Sequence, residues 1–145
     1  MEPLQRLTRR QVDALQAIGV RETDGRGVSL KALAKALRVR PPSALDHATA
    51  LERYGLVTRY RGKSRLTARG RACHLEYQRH HRVAEELFAR IGLPSDETCR
   101  AAREIDLALD HQTVERICRA EGHPSACPHG QPIPPCSAVA AIARS

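Results

Sequence analysis

Between Gly122 and Cys136 the chain reads GHPSACPHGQPIPPC, and its five prolines rule out both a regular helix and a central strand over that stretch. Two histidines and two cysteines, His123, His129, Cys127 and Cys136, therefore sit on a stiff irregular segment. Side chains of this type are metal ligands or redox-active groups, so the segment is a candidate sensor element. Any fold for this chain must place it as a loop against something more regular.

The regular part is foreshadowed by charge. Lys and Arg outnumber Asp and Glu by 24 to 16, but residues 1–70 hold 15 basic against 6 acidic side chains and residues 71–145 hold 9 against 10. A basic domain joined to a neutral one is the footprint of a polyanion-binding module with a second module attached. The aromatic residues are only Tyr54, Tyr60, Tyr77 and Phe88, too few for stacking on single-stranded bases, so duplex DNA is the expected partner. With 145 residues there is room for one ordinary core or two small lobes sharing a long helix. No apolar run is long enough to span a membrane and Met1-Glu2-Pro3 does not open a signal peptide, which predicts a cytoplasmic protein. In that reducing compartment Cys73, Cys99, Cys118, Cys127 and Cys136 are expected as thiols or ligands rather than disulfides.

Within the basic half, Thr8 and Gln11 have capping-box spacing, and Val12, Leu15 and Ile18 follow at helical intervals until Gly19, where the helix is expected to stop. A Gly-rich loop leads to Ser29, an N-cap for a helix carrying Leu30, Leu33, Ala34 and Leu37. Pro41 and Pro42 then open a further helix with Ala44, Leu45, Ala48 and Leu51 inward, ending at Gly55. Two short helices across a tight turn predict a helix-turn-helix. The segment LVTRYRGKSRLT, with a turn expected at Gly62-Lys63, predicts a small β wing. Expected DNA contacts are Arg38, Arg40, Pro42, Ser43, Asp46 and His47 around the recognition helix and Arg59, Arg61, Lys63 and Arg65 on the wing. Asp46 is the awkward member, since a carboxylate repels phosphate and accepts usefully only from cytosine.

In the second half, Thr67 caps a long helix that is expected to end at Gly92. His74, Gln78, His81 and Glu85 share one of its faces. Ser95-Asp96-Glu97 opens another helix, bearing Cys99, Ile105, Asp106 and Leu109, and Asp110 caps one more with Val114, Ile117 and Cys118 before the Pro-rich loop closes the chain. Cys73 faces away from His81 and is expected as a small buried residue.

The succession of a winged helix, LTARGRA, RHHRVAEELFARIGLP, ALDHQTVERI and GHPSACPHGQPIP resembles the diphtheria toxin repressor and manganese transport regulator family of metal-dependent regulators. The resemblance runs from about Thr8 to Pro134. It implies a mainly α fold: a winged helix-turn-helix over residues 1–70, then a helical dimerisation and metal-binding domain over 71–145, without the SH3-like third domain of some members. It implies a homodimer and no enzymatic activity, and the chain indeed lacks HExxH, CxxC, GxSxG and phosphate-loop motifs.

Carried over by position, the family's principal metal site falls near Arg10 and on Arg103, Asp106 and Leu107, where two arginines oppose a cation. The ancillary site falls on His81, Glu85, Cys99 and Cys127, with Arg82 and Gln131 as anion-binding neighbours and with Cys118, Cys136, Asp106 and His129 as further candidate ligands. Such a set is softer than the usual His and carboxylate mixture and suits iron or zinc over manganese. The function implied is a dimeric, metal-responsive DNA-binding repressor of metal homeostasis genes. Two alternatives stay open: an iron-sulfur or thiol redox sensor using Cys99, Cys118, Cys127 and Cys136, and a metal-independent regulator in which the arginines replace the ion.

Overall fold

A computed structural model describes residues 3–22 and 25–144, with side chains to residue 140. The fold is mainly helical, with a winged helix-turn-helix and a helical second part. The chain forms two compact units, one of Met1–His74 with Ala140–Ser145 and the other of Leu75–Val139.

In the first unit, a 3-10 turn at Pro3–Arg6 precedes α1 (Arg9–Arg21). Thr8 and Gln11 form a reciprocal capping box, each side chain bonding the other's backbone N–H. Val12, Leu15 and Ile18 are fully buried. The helix does not stop at Gly19. That glycine serves packing: a Cβ there would lie 2.6 Å from the His74 ring, so its absence admits the imidazole. Ser29 caps α2 (Leu30–Leu37) through a 3.1 Å bond from Ala32 N. Arg38 ends α2 in the left-handed region (φ 54), and α3 (Pro41–Arg53) starts on its two prolines. Leu33, Ala44, Ala48, Leu51 and Leu56 form the core of this unit with α1.

The wing is β2 (Val57–Tyr60) and β3 (Lys63–Leu66), paired with Tyr60 opposite Lys63. Its turn falls one residue earlier than the sequence suggests. Arg61 (φ 49) and Gly62 (φ 74) are both left-handed, as a two-residue hairpin matched to strand twist requires. A further two-residue strand, β1 (Val28–Ser29), joins the free edge of β3 and is too short to leave a periodic signal. Thr67 Oγ1 accepts from Gly70 N at 2.9 Å at the start of α4 (Ala68–Arg90). Gly70 is required here, since a Cβ would sit 1.9 Å from Leu56 O.

The second unit contains most of α4, with α5 (Ser95–Ile105), α6 (His111–Ala120), the Pro-rich loop and the start of α7 (Cys136–Arg144). Val83, Val114, Cys118 and Ile133 form its apolar centre, with Leu109 and Ile117 packed on it. Gly92 (φ 100) ends α4 as expected, and Asp110 caps α6 by accepting from Thr113 N at 2.7 Å. The chain does not finish as a loop: the Ala-rich run after Pro135 is helix α7, whose first residue is Cys136.

Candidate metal centre

The 23-residue α4 carries His81 and Glu85 one turn apart on one face. Their side chains meet, with His81 Nε2 2.7 Å from Glu85 Oε1. The other ring nitrogen, Nδ1, lies 2.9 Å from Oδ2 of Asp106, the fully buried residue that ends α5. That oxygen also accepts from Tyr77 Oη at 2.9 Å, and the Tyr77 ring stacks on His81 with centroids 5.8 Å apart. The imidazole is thus gripped on its face and at Nδ1, which leaves Nε2 as the nitrogen turned toward Glu85 and Cys99. Cys99, on α5, brings its sulfur to 3.5 Å from Nε2. A tetrahedral ion with bonds of about 2.3 Å to sulfur and about 2.0 Å to nitrogen separates those donors by roughly 3.5 Å.

A second set of donors converges on the far oxygen of Glu85. Cys127 O accepts from Gly130 N at 2.9 Å, closing a turn with Pro128 at its second position and Gly130 (φ 79) at its last. The turn holds His129 with Nδ1 3.1 Å from Glu85 Oε2 and Nε2 2.7 Å from Ser95 O. An Ala126–Pro132 bridge and a Cys127 N to Gln131 O bond of 2.9 Å narrow the loop, while Arg82 Nη1 donates to Pro132 O and ties it to α4. The donor atoms of His81, Glu85 and Cys99 lie within 4.8 Å of one another, and so do those of Glu85, Cys127 and His129. Glu85 joins the two triads.

Protonation follows from this geometry. Burial alone would lower the His81 pKa, but the bonds to Asp106 and Glu85 outweigh it and push it up to about 10. Burial would likewise raise Glu85, yet His81, Cys127 and His129 bonded to it hold it down at about 2. Glu85 also raises the His129 pKa, and burial raises that of the Cys127 thiol. The pairing of both ring nitrogens with carboxylate oxygens favours the charged form of the His81 ring. A divalent cation at Nε2 would have to displace the proton there, and the nitrogen, carboxylate and sulfur donors gathered here fit such an ion.

The candidate ligands are distributed over several separate contacts. Asp106 is not among the converging donors; its Oδ2 holds His81 and Tyr77. Cys99 and Cys127 fall in different triads, and His129 has a larger part than the sequence suggests. The four thiols do not converge: Cys118 lies near His123 (3.7 Å), Cys136 near His111 (3.5 Å), and among the described residues no converging group holds two cysteines. Gln131 and Arg82 spend backbone and guanidinium groups on the loop itself.

On the basic unit, Arg38, Arg40, Pro42, Ser43 and Asp46 are exposed around the first turns of α3, and His47 is half-buried. Arg61, Lys63 and Arg65 are exposed on the wing, with Arg61 stacked over the Tyr60 ring at 5.1 Å and Arg65 3.7 Å from Glu22. Arg59 differs. It is half-buried, its N–H donates to Glu52 Oε1 at 3.2 Å and its guanidinium to Thr49 Oγ1 at 3.4 Å, so it fastens the wing to α3.

Residues 67–135 match the family model of the iron dependent repressor metal binding and dimerisation domain. The chain is a relative of the metal-dependent transcriptional repressors. It is 31% identical over 105 residues, 70% of its own length, to the iron-dependent repressor IdeR of Mycobacterium leprae, and to that of Mycobacterium tuberculosis at the same level. It spans 45% of those curated relatives. Among solved structures, a manganese-dependent transcriptional repressor in complex with manganese superposes with a TM-score of 0.76 at 31% identity, covering 88% of this chain and 59% of that one. A hypothetical protein of Sulfolobus solfataricus gives 0.79 at 29% identity, covering 89% and 100%.

Within the repressor family's frame, the residues carried onto the principal site offer a single carboxylate, Asp106, already committed to His81 and Tyr77. Two converging donor groups among the described residues instead share Glu85. Sequence pattern alone assigned no role to Glu76, His80, His111 or Glu115, although His111-x3-Glu115 repeats the His81-x3-Glu85 spacing.

Proposed function

We propose that this relative of the repressors is a dimeric, metal-responsive DNA-binding transcriptional regulator that represses in response to an iron- or zinc-type divalent ion. The observation that carries it is the His81 imidazole, held by Asp106 at Nδ1 with Nε2 turned to Glu85 and Cys99. We assign His81, Glu85 and Cys99 as ligands, and Cys127 and His129 as the loop's contribution on the other side of Glu85. A thiolate in place of a further carboxylate favours Fe(II) or Zn(II) over Mn(II).

A bound ion would supply the positive charge that holds α5 and the loop to α4. Because α4 runs without a break from the wing into this site, its placement is the means by which occupancy would reach the DNA-reading unit. Base contacts would come from Ser43, Asp46 and His47, and phosphate contacts from Arg38, Arg40, Arg61, Lys63 and Arg65. Two copies would read successive major grooves, so affinity would depend on their spacing.

The test is duplex binding by the full chain, metal-free and loaded anaerobically with Fe(II) or with Zn(II), on DNA selected from a random pool, with sedimentation to give the oligomeric state. Tighter binding by a loaded form, lost in H81A, is expected. Equal affinity in every state sinks the metal-responsive function and leaves a constitutive DNA-binding protein.

A further inference from the structure

Away from Glu85, a second group of soft and hard donors meets where α6, the exit of the Pro-rich loop and α7 come together. Ligand atoms of His111, Glu115 and Cys136 lie within 4.8 Å of one another. His111 and Glu115 are one turn apart at the start of α6, and Cys136 is the first residue of α7. The Cys136 sulfur is 3.5 Å from His111 Nε2, the same separation as between Cys99 and His81. Glu76 and His80, both buried, bring their own donor atoms within 4.8 Å of His111 as well. The His80 and His111 rings have centroids 6.4 Å apart.

We propose that His111, Glu115 and Cys136 form a second metal centre, for a Zn(II)-type ion, sharing no ligand with the centre at Glu85. Its ligands are one imidazole, one carboxylate and one thiolate, leaving a fourth position to water or a neighbouring side chain. Arg79 is the obvious objection, since its guanidinium lies against Glu115. Its contacts of 2.8 Å from Nε and 2.6 Å from Nη2 both end on Oε1, however, leaving Oε2 as the oxygen an ion would take. Arg79 also donates to Pro134 O at 3.0 Å, so it orients the carboxylate and fixes the loop two residues before Cys136. Such an outer partner is usual for a ligating carboxylate.

Charge balances too. The Cys136 thiolate and the Glu115 carboxylate together match the two positive charges of a divalent ion. Burial and the charge of Glu115 keep the Cys136 thiol protonated in the metal-free protein, so binding releases its proton. His80 and His81 are adjacent on α4 and point to different sides, one toward each centre. The role of this centre is to anchor the beginning of α7 to α6, adding to the Cys136–His111 contact and to the bond from Arg79 to Pro134 O.

The experiment uses the full chain carrying C99S and C127S, which removes the thiols of the first centre whether or not that centre binds metal. Titration with Co(II) is expected to give a thiolate-to-cobalt charge-transfer band, one cobalt–thiolate per chain, that disappears when C136S is added. H111Q, which keeps the thiol, is expected to weaken Co(II) binding at least tenfold, with unchanged helical circular dichroism. No such band in the C99S/C127S protein, or a band unaffected by C136S, overturns the proposal without bearing on the first centre.

Discussion

His81 and Asp106 are joined through Nδ1 and Oδ2 at 2.9 Å, and the same carboxylate oxygen takes the Tyr77 hydroxyl at 2.9 Å. The consequence is an imidazole that presents one nitrogen only. Asp106→Asn replaces the accepting oxygen with an amide that satisfies the ring less well. It is expected to weaken Zn(II) affinity by roughly 10- to 100-fold in a chelator competition. Tyr77→Phe, which leaves the carboxylate in place, is expected to change it by less.

Cys99 is exposed, whereas Cys127 is buried. Cys99→Ser should therefore leave the metal-free protein's unfolding free energy within about 0.5 kcal/mol of the parent. It should also narrow the preference for Zn(II) over Mn(II), because a hydroxyl is a harder and weaker donor than a thiolate. Parallel urea denaturation and metal titration read the two effects separately.

The wing arginines divide into two kinds. Arg61→Ala and Lys63→Ala remove exposed charge and are each expected to weaken duplex binding and to reduce its salt slope by about 1. Arg59→Ala breaks the tie to Glu52 and Thr49 and is expected to act on the wing's own stability, seen as earlier unfolding of the free protein.

Gly70 admits the Leu56 carbonyl where a Cβ would be 1.9 Å away. Gly70→Ala forces the backbone apart and is expected to destabilise by roughly 3 kcal/mol, despite alanine's better helix propensity. Chemical denaturation in which G70A matches or exceeds the parent would show that α4 can shift at no cost.

Glu121 ends α6 with neither carboxylate oxygen hydrogen-bonded among the described residues. Burial, with the charge of Glu86, raises its pKa from 4.5 to about 7, opposed by Arg90. The folded state therefore holds a proton that the unfolded chain releases near 4.5. This group costs nothing below that pH, and stability falls as pH rises to about 7 and remains lower above it. Glu121→Gln removes the dependence. Its stability relative to the parent is expected to increase by about 1–3 kcal/mol between pH 4 and pH 8, and a constant difference across that range would contradict it.

Local chemistry was legible wherever it was encoded within a few residues. The Thr8–Gln11 box, the Ser29 and Asp110 caps, the proline start of α3 and the end of α4 at Gly92 each depend on neighbours in the chain. Gly19 misled because its reason lies in His74, 55 positions away in the chain, against which α1 packs. The short β1 and the helix α7 were missed for different reasons. One is too brief for a period, and the other is a short Ala-rich run that follows directly on helix-breaking prolines.

By itself the sequence determined the kinds of donor available, their helical spacing and the charge imbalance between the halves, since these are properties of composition and of 3.6-residue periodicity. Which donors meet was decided only in three dimensions. His81 and Glu85 share a face by spacing alone, but Cys99, Asp106 and His129 come from other elements, and an ångström decides whether each is a ligand or a partner of one. Asp106 went to the back of the imidazole and His129 to the front of the carboxylate. Neither outcome follows from position in the chain, because both depend on how α5 and the Cys127–Gly130 turn pack on α4.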